Sequence, residues 1–101
     1  MKFNKVYKCI IIGGEASGML LSIELSKKFG GQNIALVERL DRIGKKLLVS
    51  GNGQCNFSNT DLSNLKYHSN CKDFQSLAIK KFDNNFVVNY FKNLGVLSSI
   101  E

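Results

Sequence analysis

The sequence predicts an α/β fold that opens on a strand, helix, strand unit and continues through a loop into two helices. Two short aliphatic runs, Tyr7 to Gly13 (YKCIIIG) and Asn33 to Glu38 (NIALVE), flank a stretch of helical periodicity. A glycine-rich turn joins the first run to that stretch, and an acidic residue closes the second.

Taken in order, YKCIIIG is β-branched and ends in glycine, the pattern of a strand buried on both faces. From Ser17, SGMLLSIELSKKFG spaces Met19, Leu20, Ile23 and Leu25 near a helical period, with Lys27 and Lys28 in its last turn and Gly30 beyond, so the helix should end near Phe29. NIALVE follows the Gly30-Gly31 turn as the second strand, and a strand, helix, strand order implies a parallel crossover over residues 1–39. Residues 40–69 begin with a Gly, Asn, Ser and Lys-rich stretch, Leu40 to Asn59, that reads as a long functional loop, with Lys46 to Ser50 open to either strand or helix. Residues 70–101 carry two amphipathic helices, DFQSLAIKKF and NFVVNYFKNLG, with Asn84 as the expected cap of the second and Gly95 as its end. Phe74, Leu77, Phe82, Phe86, Tyr90, Phe91 and Leu94 are expected to be packing residues.

Composition bounds the function. At 101 residues, 44% hydrophobic and 22% charged, the chain is globular in character and holds one small domain at most, which excludes a complete two-domain enzyme. The longest apolar run, Cys9 to Ile12, is far short of the ~20 residues of a membrane-spanning helix, and there is no secretory-type apolar leader. No membrane partner and a cytoplasmic location are therefore expected. Cys9, Cys55 and Cys71 are odd in number and widely spaced, which argues for free thiols and against a disulfide framework or metal site. The net charge is +6, but Lys27/Lys28, Lys45/Lys46 and Lys80/Lys81 are scattered, with no basic helix face interleaved with aromatics. A solvated basic surface, not a nucleic-acid partner, is the expectation.

The chemistry is concentrated in the turn Gly13-Gly14-Glu15-Ala16-Ser17-Gly18. A glycine turn between a strand and a helix offers free amides and the positive end of a helix dipole to a pyrophosphate. In the G-x-G-x-x-G pattern the first glycine makes the turn, the second admits phosphate to the backbone, and the third lets helix and strand approach. Gly13 and Gly18 match the pattern; Glu15 stands where the second glycine belongs. Glu38 lies twenty residues after Gly18, where an acid at a strand end accepts hydrogen bonds from ribose hydroxyls. Gly13, Gly14, Ala16, Ser17, Gly18 and Glu38 are therefore candidate nucleotide-binding residues. Glu15 works against them: at ~4–5 Å a like-charge pair costs roughly 3–4 kcal/mol at an effective dielectric of 20. Weak or absent binding is the expectation.

The turn, Glu38 and the segment Arg42 to Asn59, with G-K-K-L-x-x-S-G-N-G-x-C-N at its heart, together resemble a bacterial flavoprotein family, the aminoacetone-oxidase or BaiN-like FAD-dependent oxidoreductases. The resemblance runs over the whole chain. It implies a Rossmann-like FAD domain, interrupted in the family by a substrate domain, with flavin redox chemistry and NAD(P)H or oxygen as electron partner. Carried across, Gly13, Gly14 and Gly18 would line the pyrophosphate, Glu38 and Arg39 the adenosine side, and Lys46, Ser50 and Gly51 the ribityl and flavin side. Independently, Lys45 or Lys46 can offset phosphate charge and Ser50 can donate to an oxygen. Gln54 stands where the family usually has arginine. Family members are several-fold longer, so the chain reads as the amino-terminal fragment of an incomplete FAD domain, inert alone, with no catalytic acid or base identified. The alternative is a nucleotide-binding or assembly module that completes a split flavoprotein with a separate carboxy-terminal chain.

Overall fold

The computed structural model describes residues 4–63 and 67–100. It forms two compact units, Met1–Asn56 and Phe57–Glu101. The boundary falls inside the expected loop segment 40–69, of which residues 64–66 lie outside the described residues, as does Glu101.

The first unit is the expected crossover. Strand β1 (Cys9–Ile12) leads through the glycine turn to helix α1 (Ala16–Phe29), then a 3-10 turn (Gly31–Asn33) and strand β2 (Ile34–Val37). The strands pair in parallel, Cys9 opposite Ile34 through Ile12 opposite Val37. Helix α1 ends at Phe29, where Gly30 takes φ 84° and its amide donates to the Ser26 carbonyl at 2.9 Å. The side-chain amide of Asn33 also donates to the Phe29 carbonyl at 2.7 Å, satisfying another carbonyl of the last turn.

The expectation of a first strand buried on both faces is corrected. Ile11 is buried at 6% exposure, but Ile10 is 58% and Ile12 88% exposed. The cause is the period-2 alternation of a strand: α1 packs on the sheet and covers Ile11, while the alternate positions Ile10 and Ile12 are left exposed. Ile11 is the one buried apolar side chain among the described residues. Within α1, Met19 and Leu25 are half-buried, while Leu20 and Ile23 stay exposed.

Lys46 to Ser50 resolves as helix. Helix α2 (Lys45–Val49) runs into a 3-10 segment (Ser50–Gly53) in which Gly51 (φ 55°) and Asn52 (φ 52°) are left-handed. Glycine and asparagine are the residues that enter this conformation most readily.

The second unit holds helices α3 (Ser76–Lys81) and α4 (Asn84–Asn93). The cap of α4 is Asp83, one residue before the expected Asn84: its Oδ1 accepts from the Phe86 amide at 2.8 Å, and Asn84 is the first helical residue. Gly95 closes the helix as expected, donating to the Lys92 carbonyl at 2.9 Å. An aromatic chain, Phe82, Phe86, Tyr90, Phe91 and Phe57, links ring to ring at centroid distances of 4.9–6.4 Å. Phe74 and Leu77, expected to pack, are 75% and 78% exposed, and Phe82, Phe86 and Leu94 of the same expectation are also exposed, at 48%, 46% and 40%.

Candidate dinucleotide-binding site

The crossover geometry builds the site from backbone outward. β1 delivers the chain to Gly13, whose amide donates to the Val37 carbonyl at 2.8 Å. That bond sets the end of β2 beside the turn, so Glu38, the next residue, reaches it. Glu38 Oε2 accepts from the Gly14 amide at 2.7 Å and Oε1 from the Leu40 amide at 3.0 Å. The Leu40 and Gly14 amides, with Arg39 adding backbone and charge, hold the Glu38 carboxyl below its ordinary 4.5. An ionised carboxylate offers about four lone-pair sites, so roughly two remain for incoming hydroxyls.

The requirement for glycine is most direct at Gly18. A Cβ there would collide with the Gly13 carbonyl oxygen and lie 3.6 Å from Ile11 Cγ2. This is the close helix-to-strand approach that the third glycine of the pattern permits. Ala16, Ser17 and Gly18 supply the first-turn amides of α1, which no intrahelical carbonyl can satisfy. Glu15 occupies the N-cap position without bonding these amides through its side chain. An open groove of about 260 Å³, walled by Ile11, Ile12, Gly13, Glu15, Ser17, Gly18 and Leu21, lies along this end of α1. It is smaller than the roughly 300–1,000 Å³ of a pocket for a drug-sized ligand.

The carboxylate of Glu15 has a destination that sequence reasoning missed. Its Oε2 accepts from the backbone amide of Lys46, at the start of α2, at 3.3 Å. The same junction is closed by the Gly44 amide donating to the Gly14 carbonyl at 2.8 Å. Gly44 is buried and left-handed (φ 70°), and a Cβ on it would meet Met19 Cε at 3.2 Å. Ile43 packs against Gly14. The clue lay in the glycine of R-I-G-K-K, placed just before a helix-forming pair of lysines.

The other expected residues separate. Lys45 Nζ pairs with Asp41 Oδ1 at 2.6 Å on the exposed surface, and Lys46 contributes its backbone amide while its side chain stays exposed. Ser50 Oγ donates to the Leu47 carbonyl at 2.9 Å, leaving its oxygen lone pairs for a donor. Gly51 sits against the Asn56 backbone, 2.7 Å from the position of a Cβ. Arg39 is exposed beside Glu38. Cys55 is half-buried, and the three cysteines form no disulfide. No group of metal-ligating side chains occurs among the described residues. A wider depression of about 530 Å³ in the second unit is walled by the consecutive residues Tyr67, His68, Ser69 and Asn70 alone, a surface crease with no opposing wall.

A family model described as the HI0933-like protein Rossmann domain matches residues 7–101. The chain belongs to this family. The HI0933-like Rossmann domain is an FAD-binding module of oxidoreductases, which establishes the BaiN and aminoacetone-oxidase resemblance. Among proteins of assigned function, it is 33% identical over 88 residues to a 3-dehydro-bile acid delta(4,6)-reductase of Clostridium scindens, covering 87% of this chain and 22% of the relative. It is 33% identical over 75 residues to a ribosomal RNA dihydrouridine synthase of Haemophilus influenzae, covering 74% and 18%. The Escherichia coli protein of that name matches at 33% over 76 residues, covering 75% and 18%. The chain thus spans about a fifth of the length of these relatives.

The first unit fits the cofactor of its family at one end. Close approach at Gly18, first-turn amides without a side-chain cap and the Glu38 carboxylate bonded to the Gly14 amide bring backbone donors and a carboxylate acceptor together, the groups that a pyrophosphate and a ribose can use.

Proposed function

We propose that this chain supplies the part of an FAD site that holds the ADP moiety, with the Gly13 to Gly18 turn for the pyrophosphate and Glu38 and Arg39 for the adenosine ribose. The observation that carries the reading is the 2.7 Å bond from the Gly14 amide to Glu38, which unites the turn with the acidic end of β2. In the complete protein the bound flavin would carry electrons between an NAD(P)H or oxygen partner and a substrate. This chain's own residues bind and orient: the Ala16, Ser17 and Gly18 amides offset phosphate charge, and Glu38 accepts hydrogen bonds from the ribose hydroxyls. Lys46, Ser50 and Gly51 would serve the ribityl and flavin side, and Lys45 or Lys46 would offset phosphate charge.

The isolated chain is weak or inert in this reading. Glu15 places a negative charge beside the phosphate position, and the uncovered faces at Ile10, Ile12 and Val37 leave the sheet without the layers that enclose a cofactor. Those same exposed residues favour a second reading, in which the chain completes a split flavoprotein with a separate carboxy-terminal chain. Three cysteines with no disulfide among them support placement in the cytoplasm. The test is the visible absorbance of the purified chain, followed by FAD titration with flavin fluorescence. Saturable quenching that ADP reverses supports the site; quenching that ADP leaves unchanged overturns it.

A further inference from the structure

Glu15 does more than stand in the place of a glycine: it joins the turn before α1 to the start of α2. The junction is closed by the Gly44 amide donating to the Gly14 carbonyl at 2.8 Å, by the Ile43 side chain packed on Gly14, and by the Lys46 amide donating to Glu15 Oε2 at 3.3 Å. Gly14 is engaged from both sides, since its own amide donates to Glu38 Oε2 at 2.7 Å. Gly14 and Gly44 are buried, so the backbone part of the junction is fixed. The half-buried Glu15 carboxylate, on a side chain with three rotatable bonds, is the part that can swing away. Lys45 is paired with Asp41 at 2.6 Å and so is not the partner that holds Glu15.

The bond from Lys46 is the one member of this junction that carries a charge, and it is made by the N-cap residue of α1, next to the Ala16, Ser17 and Gly18 amides. It is longer than the roughly 2.7–3.2 Å usual for an N–H···O bond, so little is lost on breaking it. A phosphate at those amides brings negative charge beside the carboxylate, and at the intermediate dielectric of a half-buried group their repulsion exceeds the net contribution of one such bond. We infer, on the reading of the turn as the pyrophosphate site, that Glu15 is a clasp: its carboxylate docks α2 through the Lys46 amide, and a phosphate entering at the first turn of α1 releases it. The coupling is reciprocal, so docking of α2 weakens phosphate binding by the same factor by which phosphate weakens the docking. Lys46 and Ser50, assigned above to the ribityl side, lie within α2 and just past its end, so release lets them move as the ligand enters.

The test is NMR of the whole 101-residue chain, following the Lys46 amide proton in the wild type, Glu15→Gln and Glu15→Gly, each with and without ADP at low ionic strength. Unchanged amide shifts in β2 verify that the variants keep the crossover. Without ADP, Glu15→Gly should move the Lys46 amide proton upfield, as loss of an acceptor does. Glu15→Gln, which keeps a neutral acceptor oxygen, should fall between Glu15→Gly and the wild type. ADP should move the wild-type Lys46 amide towards its position in Glu15→Gly and leave it in place in Glu15→Gly, while the turn amides respond in both. A Lys46 amide with the same shift in all three proteins overturns the clasp. Turn amides that respond to ADP while Lys46 stays fixed in the wild type overturn its release by phosphate. Turn amides silent to ADP even in Glu15→Gly overturn the pyrophosphate reading and the release with it, and the comparison without ADP separately decides whether Glu15 docks α2.

Discussion

Replacing Glu15 probes how this turn differs from a turn with a glycine in its middle. The Glu15 backbone is extended (φ −94°, ψ −166°), a conformation open to any residue, so Glu15→Gly requires no change of path. What it removes is a carboxylate on the N-cap residue, next to the first-turn amides where a phosphate would sit. At ~5–6 Å, one phosphate charge and this carboxylate repel by roughly 3 kcal/mol at an effective dielectric of 20 and by less than ~1 kcal/mol in bulk water. Glu15 is half-buried, between these limits, so about 1–3 kcal/mol should be recovered, a roughly 5- to 150-fold tightening of FAD. Glu15→Gln separates charge from clearance, since it keeps the bulk and loses the charge. If charge dominates, the two variants should tighten alike. The opposing effect is small: the 3.3 Å bond to the Lys46 amide is lost, costing at most ~1 kcal/mol of local stability at the start of α2. The assay is flavin-fluorescence titration of the wild type and both variants at low ionic strength, repeated in 0.5 M salt, where the difference should shrink. Equal affinities for all three proteins at low salt would refute the charge argument. Tightening in Glu15→Gly alone would assign the effect to clearance.

Other residues give equally definite expectations. Gly18→Ala should lower the melting temperature by at least ~4 °C, the effect of ~1 kcal/mol in a chain of this size, because its Cβ meets the Gly13 carbonyl; ADP binding should vanish with it. Glu38 has a folded-state pKa depressed below 4.5, so its contribution is complete above the unfolded value and is lost as pH falls through the folded one. Unfolding midpoints should therefore be insensitive to this group from pH 7 to 5 and fall at more acid pH, and Glu38→Gln should remove that acid limb. Asp83→Ala should cost about 1 kcal/mol and fray the start of α4, read as a loss of helical ellipticity and faster exchange at the Phe86 amide.

The elements were legible where local patterns and tertiary demands agree. The aliphatic runs, the lysines before Gly30 and the acid after β2 fixed the parallel crossover, and Gly18 proved to be the point of closest approach that its place in the motif implies. Burial was not legible. A run such as CIII reads as doubly buried because periodicity reports what a residue can pack against, not whether a covering layer is present. The contacts of Glu15 were equally hidden. Residues 15 and 46 meet only because the Gly44 and Gly14 backbones bond across the junction, a long-range closure without side-chain periodicity. The cap of α4 fell one residue early because aspartate and asparagine both serve there, and the choice depends on where the helical dihedrals begin.

The most direct test of the central claim is an amide-resolved NMR titration of the 101-residue chain with ADP at millimolar concentration, which registers even weak occupancy. Saturable shifts are expected at the Gly13, Gly14, Ala16, Ser17, Gly18 and Glu38 amides, larger in Glu15→Gly, with the α4 amides unmoved. Shifts that bypass the turn and Glu38, or a turn that stays silent in both proteins, would contradict it.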